Sequence, residues 1–221
     1  MDLLLILLII LLPGLAQIYI SLTYKKYSDI EVSTKVDGFD TARKILDNND
    51  LNNLDIVKVR GDLTDHYDSS RKVVRLSEGV FNKNSIAAMA VAAHECGHAI
   101  QDNKGYFYMK VRSFIFPVVK LATSLSYVVI FLGFLFQLLN LVYIGIGFVG
   151  AGLFFQIITL PVEFNASKRA LNQIEDLALC SDEELIGARK MLRAAALTYV
   201  AGVLASVLQL LRLLLAANDR K

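Results

Sequence analysis

The chain has 221 residues, 55% of them hydrophobic, and a net charge of +2. Its mean hydropathy of +0.48 is high for a soluble domain, and its charges cluster rather than spread. So small a net charge excludes nucleic acid or any strongly charged partner as the organising theme, and two cysteines far apart (Cys96, Cys180) exclude a disulfide framework. The length suits a small soluble core joined to a membrane bundle.

The first apolar run covers residues 3–20 and is interrupted by Pro13-Gly14. It lacks a basic n-region and a clear small-residue cleavage site, so it reads as a retained anchor rather than a cleaved signal. A polar, charge-balanced stretch follows over 21–113. Within it, residues 40–46 read as a short helix with Asp40 as N-cap. Residues 54–60 alternate apolar and charged side chains and read as a strand, 72–77 read as another, and 61–70 connects them. The second strand is either an ordinary sheet member or an edge that holds an extended peptide by β-addition.

Residues 85–101 read as a helix capped by Asn84 or Ser85. This helix carries the most informative residues of the chain, His94-Glu95-Cys96-Gly97-His98, an H-E-x-x-H pattern that takes two of only three histidines. On a helix the two imidazoles lie one turn apart on one face, where they can share a Zn²⁺ at about 2.0–2.1 Å each. Glu95 then stands beside the metal as a base for a bound water, the core of a metallopeptidase. Cys96 points away from that face and reads as a small buried residue, while Gly97 is either a tolerated glycine or one needed for close packing.

Two further runs, 114–139 and 141–160, split near Gln137 and Asn140 and read as a transmembrane hairpin; a fourth, 194–217, contains Arg212. Lys25, Lys26, Lys110, Arg112, Lys168, Arg169, Arg189, Lys190 and Arg193 flank these runs, and the turn inside the hairpin has no Lys or Arg. The positive-inside rule therefore places 21–113 and 161–193 in the cytoplasm. The expected organisation is an anchor over 1–20, a catalytic segment over 21–113, a hairpin over 114–160, a cytoplasmic helix over 161–193 and a membrane helix over 194–217. The fold class is mostly α: multi-pass membrane helices with a small α+β, zincin-like core. The partners expected are the lipid bilayer and a peptide or membrane-protein substrate.

A catalytic zinc needs a third protein ligand. His66, in Asp65-His66-Tyr67-Asp68, is one candidate. Glu163, in Pro161-Val162-Glu163-Phe164-Asn165-Ala166-Ser167, is the better one: Pro161 suits the first turn of a helix, and Ala166, Ser167 and Ala170 would let that helix approach the motif helix closely. Taken alone, Glu163 reads as an interfacial acid stabilised by a helix N-terminus; beside a complete H-E-x-x-H the ligand reading is favoured. His66, Tyr67, Arg169 and Tyr199 are candidates for stabilising an oxyanion, His66 first among them.

These segments, together with Arg75-Leu76-Ser77, Ala92 to Gln101 and Ala196 to Val200, resemble the bacterial membrane neutral zinc metallopeptidases and, more distantly, the heat-shock membrane protease and the CAAX prenyl protease. The resemblance implies a gluzincin with one Zn²⁺ per chain held by His94, His98 and Glu163, with Glu95 as general base, in a bacterial cytoplasmic membrane. The distant relatives place an Asp one turn after the ligand Glu; here that position is Ser167. Two rivals are an intramembrane site-two-type protease and a non-catalytic membrane adaptor with a structural zinc. The first needs a downstream Asp-Gly, and the only one is Asp37-Gly38, upstream. The second leaves Glu95 without a purpose.

Overall fold

A computed structural model describes residues 2–61 and 63–218. Its first element is α1 (Asp2–Ser28), which runs through Pro13. Then come α2 (Gly38–Asp47), β1 (Asp55–Val59), β2 (His66–Asp68), β3 (Val73–Ser77) and the single turn α3 (Glu78–Phe81). The motif helix is α4 (Ile86–Asn103), followed by three long helices, α5 (Phe107–Leu135), α6 (Leu139–Asp176) and α7 (Asp182–Asn218). The fold is mostly α with a small α+β part.

The described chain divides into two units: residues 2–17, 107–161 and 197–218 form one, and 18–106 with 162–196 form the other. In the first, Gly133 and Gly145 let α5 and α6 close on each other: a Cβ at Gly133 would sit 2.7 Å from the Val142 amide nitrogen, and one at Gly145 3.0 Å from that of Ile130. The turn between them is a Schellman closure, in which the Leu138 amide donates to the Gly133 carbonyl across Gln137 at φ 58°. Among the described residues, four helices (α1, α5, α6 and α7) are long and apolar enough to cross a membrane. No more than 22% of any of their apolar windows is covered by protein, a surface suited to lipid rather than water.

The second unit holds the sheet and the motif helix. β1 and β3 pair in parallel, β2 and β3 antiparallel, giving the order β1-β3-β2. β3 is thus the central strand with both edges paired, so residues 72–77 are an ordinary sheet member and offer no edge for a peptide. The short β2, with too few residues to show a period, lies in the stretch read as a connection.

α2 begins at Gly38 and its N-cap is Asp37, whose Oδ1 accepts from the Asp40 amide at 2.8 Å. Asp40 is therefore a first-turn residue, not the cap. A Cβ at Gly38 would lie 2.2 Å from the Val80 carbonyl oxygen, so the helix starts on a residue that composition scores as a poor helix former. α4 is capped by Ser85, whose Oγ accepts from the Ala88 amide. It is buried along most of its length, with Ala87, Ala90, Ala92, Ala93 and Cys96 fully inaccessible among Ile45, Leu46, Leu76, Val80 and Ile174. Alanine on so many faces lets neighbours approach α4 closely from several sides.

The helix expected to start at Pro161 instead continues unbroken from Leu139. Pro161 forfeits the bond its amide would give to the Ile157 carbonyl, but helix formers on both sides carry the helix through it. α7 likewise begins at Asp182, well before the apolar run at 194. Its start is a capping box in which the Ser181 amide donates to Glu184 Oε2 at 2.8 Å.

Candidate metal centre

Four of the five site residues predicted from sequence lie close together, three of them as a cluster. His94 and His98, one turn apart on α4, present their Nε2 atoms to the same carboxylate oxygen of α6: His94 Nε2 is 3.3 Å and His98 Nε2 3.5 Å from Glu163 Oε2. All three donor atoms lie within 4.8 Å of one another, and Glu163 is only 3% exposed.

The donor set fits a zinc ion. Two imidazole nitrogens and one carboxylate oxygen are the ligand types zinc takes in catalytic sites. A tetrahedral ion at about 2.0–2.1 Å from each ligand sets neighbouring donors about 3.3–3.4 Å apart. Direct charge-assisted hydrogen bonds would instead draw N and O to about 2.7–2.9 Å. The two observed separations, 3.3 and 3.5 Å, lie nearer the ligand spacing than the length of direct hydrogen bonds.

Close approach of α4 and α6 makes this possible. Gly97 faces Ala166, and a Cβ there would lie 2.6 Å from the Ala166 carbonyl oxygen. Gly97 is therefore needed for packing, and Ala166 and Ala170 are fully buried at the same contact. The imidazoles are also held from behind. His94 Nδ1 is 3.2 Å from Ser167 Oγ, so this serine reaches the first histidine. His98 Nδ1 is 3.0 Å from Gln101 Oε1.

Electrostatics favour a cation here. Burial penalises a charged His98, but its contact with Glu163 and the charges of Glu95 and Glu163 outweigh that, leaving its pKa above the usual imidazole value.

Glu95 is buried and stands outside the donor cluster. Its Oε2 accepts from the backbone amide of Tyr67 on β2 at 2.9 Å. The Tyr67 hydroxyl donates to Asp102 Oδ2 at 2.7 Å, and Lys72 pairs with the same carboxylate. Burial, then the bond to Asp102, pushes the Tyr67 phenol far above its ordinary value, so it stays a donor.

His66 is not one of the three clustered donors. It is exposed on β2 with Nδ1 2.8 Å from the Thr64 carbonyl oxygen. Neither neighbouring acid orients it: Asp65 accepts from the Ser77 amide and hydroxyl, and Asp68 from the Ser70 and Arg71 amides. Arg169 donates to Asn165 Oδ1 at 2.7 Å. Tyr199 belongs to the other unit. Cys96 is buried with Sγ 3.6 Å from the Ala42 carbonyl oxygen. Sequence reasoning missed the Tyr67 amide and Gln101, because main-chain donors and partners some sixty residues away leave no local pattern.

Comparison with known proteins agrees with this geometry. The family described as "Putative neutral zinc metallopeptidase" matches residues 2–218. The chain belongs to this family. It is also 47% identical, over 197 residues covering 89% of this chain and 88% of the relative, to the Bacillus subtilis (strain 168) protein named "Putative membrane protease YugP". No solved structure is significantly similar to it. His94, His98 and Glu163 thus form a possible metal site in a member of a zinc peptidase family.

Proposed function

We propose that this protein is a membrane-embedded, zinc-dependent endopeptidase, with one zinc held by His94, His98 and Glu163 and with Glu95 as its general base. The observation that carries the reading is the spacing of 3.3 and 3.5 Å from the two Nε2 atoms to one Glu163 oxygen, with Glu95 beside the cluster but outside it.

A zinc ion in such a site supplies Lewis acidity, lowering the pKa of water to about 7 and polarising a carbonyl. The protein's own residues do the rest. Glu95 takes the proton of the attacking water and hands it to the leaving amine. The Tyr67 amide, aimed at Glu95 Oε2, keeps the other carboxylate oxygen free for that transfer. Burial of Glu95, His98 and Glu163 limits competing solvent around the reacting carbonyl. His66 assists the developing oxyanion as an imidazolium: its Nδ1–H is given to the Thr64 carbonyl, so Nε2 carries a proton to donate only when the ring is charged.

The substrate is a peptide or a membrane protein. Basic residues flanking the apolar helices support a site facing the cytoplasm, in a bacterial cytoplasmic membrane, with an anchor over 1–20, a catalytic segment over 21–113, a hairpin over 114–160, a cytoplasmic segment over 161–193 made of the end of α6 and the start of α7, and a membrane segment over 194–217 that continues α7. The site-two reading is not favoured, since α4 is not one of the four helices apolar enough to span.

The test is to purify the chain in detergent, count zinc, and assay casein or a peptide library. One zinc per chain is expected, with hydrolysis reduced by about 10²–10⁴ in Glu95→Gln at unchanged zinc content. Stoichiometric zinc with Glu95→Gln as active as wild type would leave a structural metal in an adaptor and end the peptidase reading.

A further inference from the structure

Gln101 is fully buried between the two ligand-bearing helices and bonds to both of them. Its Nε2 is 2.7 Å from the Val162 carbonyl oxygen and 3.0 Å from Asn165 Oδ1, both on α6. Its Oε1 is 3.0 Å from His98 Nδ1, on its own helix. Arg169, one turn beyond Asn165, reaches the same Asn165 oxygen with its Nε at 2.7 Å.

The direction of every bond in this chain is forced. An arginine Nε–H only donates, so the atom it meets on Asn165 must be the carbonyl oxygen. The Val162 carbonyl only accepts. Two acceptors on one side of Gln101 require its amide nitrogen there, which turns Oε1 toward His98. An oxygen at that place requires a proton on His98 Nδ1, so in the neutral imidazole, the form that binds a metal, the lone pair lies on Nε2, the atom that faces Glu163. His94 has no such constraint, because the Ser167 hydroxyl at its Nδ1 can donate or accept.

We propose that Arg169, Asn165 and Gln101 form a directional hydrogen-bond relay that fixes the tautomer of His98 and holds the Glu163 segment of α6 against α4, so that the three donors are set before metal arrives. These are positioning residues, and the inference rests on the zinc site proposed above. Most of the residues that would orient a ligand histidine carry a carboxylate or are main-chain carbonyls; here the same work is done by two neutral amides locked by one guanidinium. The site thereby gains orientation without a further negative charge.

The experiment measures zinc affinity of the full chain in detergent by competition with a chromophoric chelator, alongside ¹⁵N spectra of histidine-labelled, zinc-loaded protein, which has only three imidazoles to assign. Gln101→Met and Asn165→Leu are expected to weaken zinc binding about 10- to 100-fold. Asn165→Asp keeps an acceptor for both Arg169 and Gln101 and is expected to bind close to the wild-type value, with His98 coordinating through Nε2. A role limited to packing would not separate Asp from Leu at this half-buried position. Equal affinities for Asn165→Asp and Asn165→Leu, or coordination of His98 through Nδ1 in the wild type, would overturn the relay. Should Gln101→Met not fold, the Asn165 pair decides alone. The readouts need no peptide hydrolysis, so an inactive but zinc-binding protein would defeat the peptidase reading and leave the relay standing.

Discussion

The amide of Tyr67 donates to Glu95 Oε2, joining the shortest strand of the sheet to the residue between the two histidines. Because that N–H is spent on Glu95, β2 does not offer it to a peptide along the sheet edge. Its position depends on the Tyr67 side chain, anchored through its hydroxyl to Asp102 and, through Asp102, to Lys72. Tyr67→Phe removes the anchor and leaves the amide. Stability is expected to fall by about 1 kcal/mol in a denaturant titration. The rate constant kcat is expected to fall about 10-fold, short of the roughly 100-fold that a 1 Å misplacement costs, at unchanged zinc content. Tyr67→Pro deletes the donor itself, at an edge position where proline is tolerated. Its kcat is expected to approach that of Glu95→Gln; a near-normal kcat would show that the amide does not position Glu95.

Gly97 sets the distance between α4 and α6. With a Cβ only 2.6 Å from the Ala166 carbonyl oxygen, Gly97→Ala must push backbone away from backbone, since no flexible side chain can give. Glu163 precedes Ala166 by less than one turn, so separation of the helices carries its carboxylate away from both imidazoles. Gly97→Ala is expected to destabilise the protein by about 1–3 kcal/mol despite alanine's better helix propensity. Zinc measured by atomic absorption is expected to drop well below one per chain. Full zinc occupancy in a stable Gly97→Ala protein would refute the close-approach argument.

What the sequence made legible follows interaction range. The motif helix, its Ser85 cap, β1 and β3 announce themselves through spacing, capping chemistry and alternation within a few residues. So do the apolar runs, since length and hydropathy are local properties. Boundaries that depend on distant atoms were not legible: α2 starts two residues before the pattern read over 40–46 because Gly38 fits against Val80, and α6 ignores the stop signal of Pro161. At the site, Glu163 was visible only as an acid among small residues. What singles it out is the imidazole pair some seventy residues upstream, brought near by packing that no local window contains. The polarity of Gln101 is set by a main-chain carbonyl and is invisible for the same reason.

The two cysteines are predicted to differ sharply in reactivity. Burial, and then the nearby Glu95 charge, pushes the Cys96 thiol far above its usual pKa. Cys180 is partly exposed, and burial together with the charges of Glu184 and Asp182 raises it to about 11. The thiolate is the reactive form, so alkylation of Cys180 is expected to be slow at neutral pH. Its rate should climb about tenfold per pH unit and level off only near pH 11, because a raised pKa moves the thiolate to higher pH. Peptide mapping after iodoacetamide should find Cys96 unmodified in native protein and both cysteines modified in denaturant. Labelling of native Cys96 at a rate like that of Cys180 would contradict the packing of α4 against α2.

Ser167 stands 3.2 Å from His94 Nδ1, where a carboxylate would impose both tautomer and added basicity. A hydroxyl imposes neither, because it can turn its proton either way. Removing it should therefore cost less than breaking the chain of bonds behind His98. Ser167→Ala is expected to weaken zinc binding by less than about 10-fold, the lower end of losses for groups that orient metal ligands. Ser167→Asp, which puts a carboxylate there, should tighten zinc binding, because a carboxylate facing Nδ1–H strengthens the imidazole as a donor. Chelator competition on the two variants reads both effects directly. If Ser167→Ala lost as much zinc affinity as Gln101→Met, His94 would be as rigidly specified as His98 and the asymmetry between the two imidazoles would be gone.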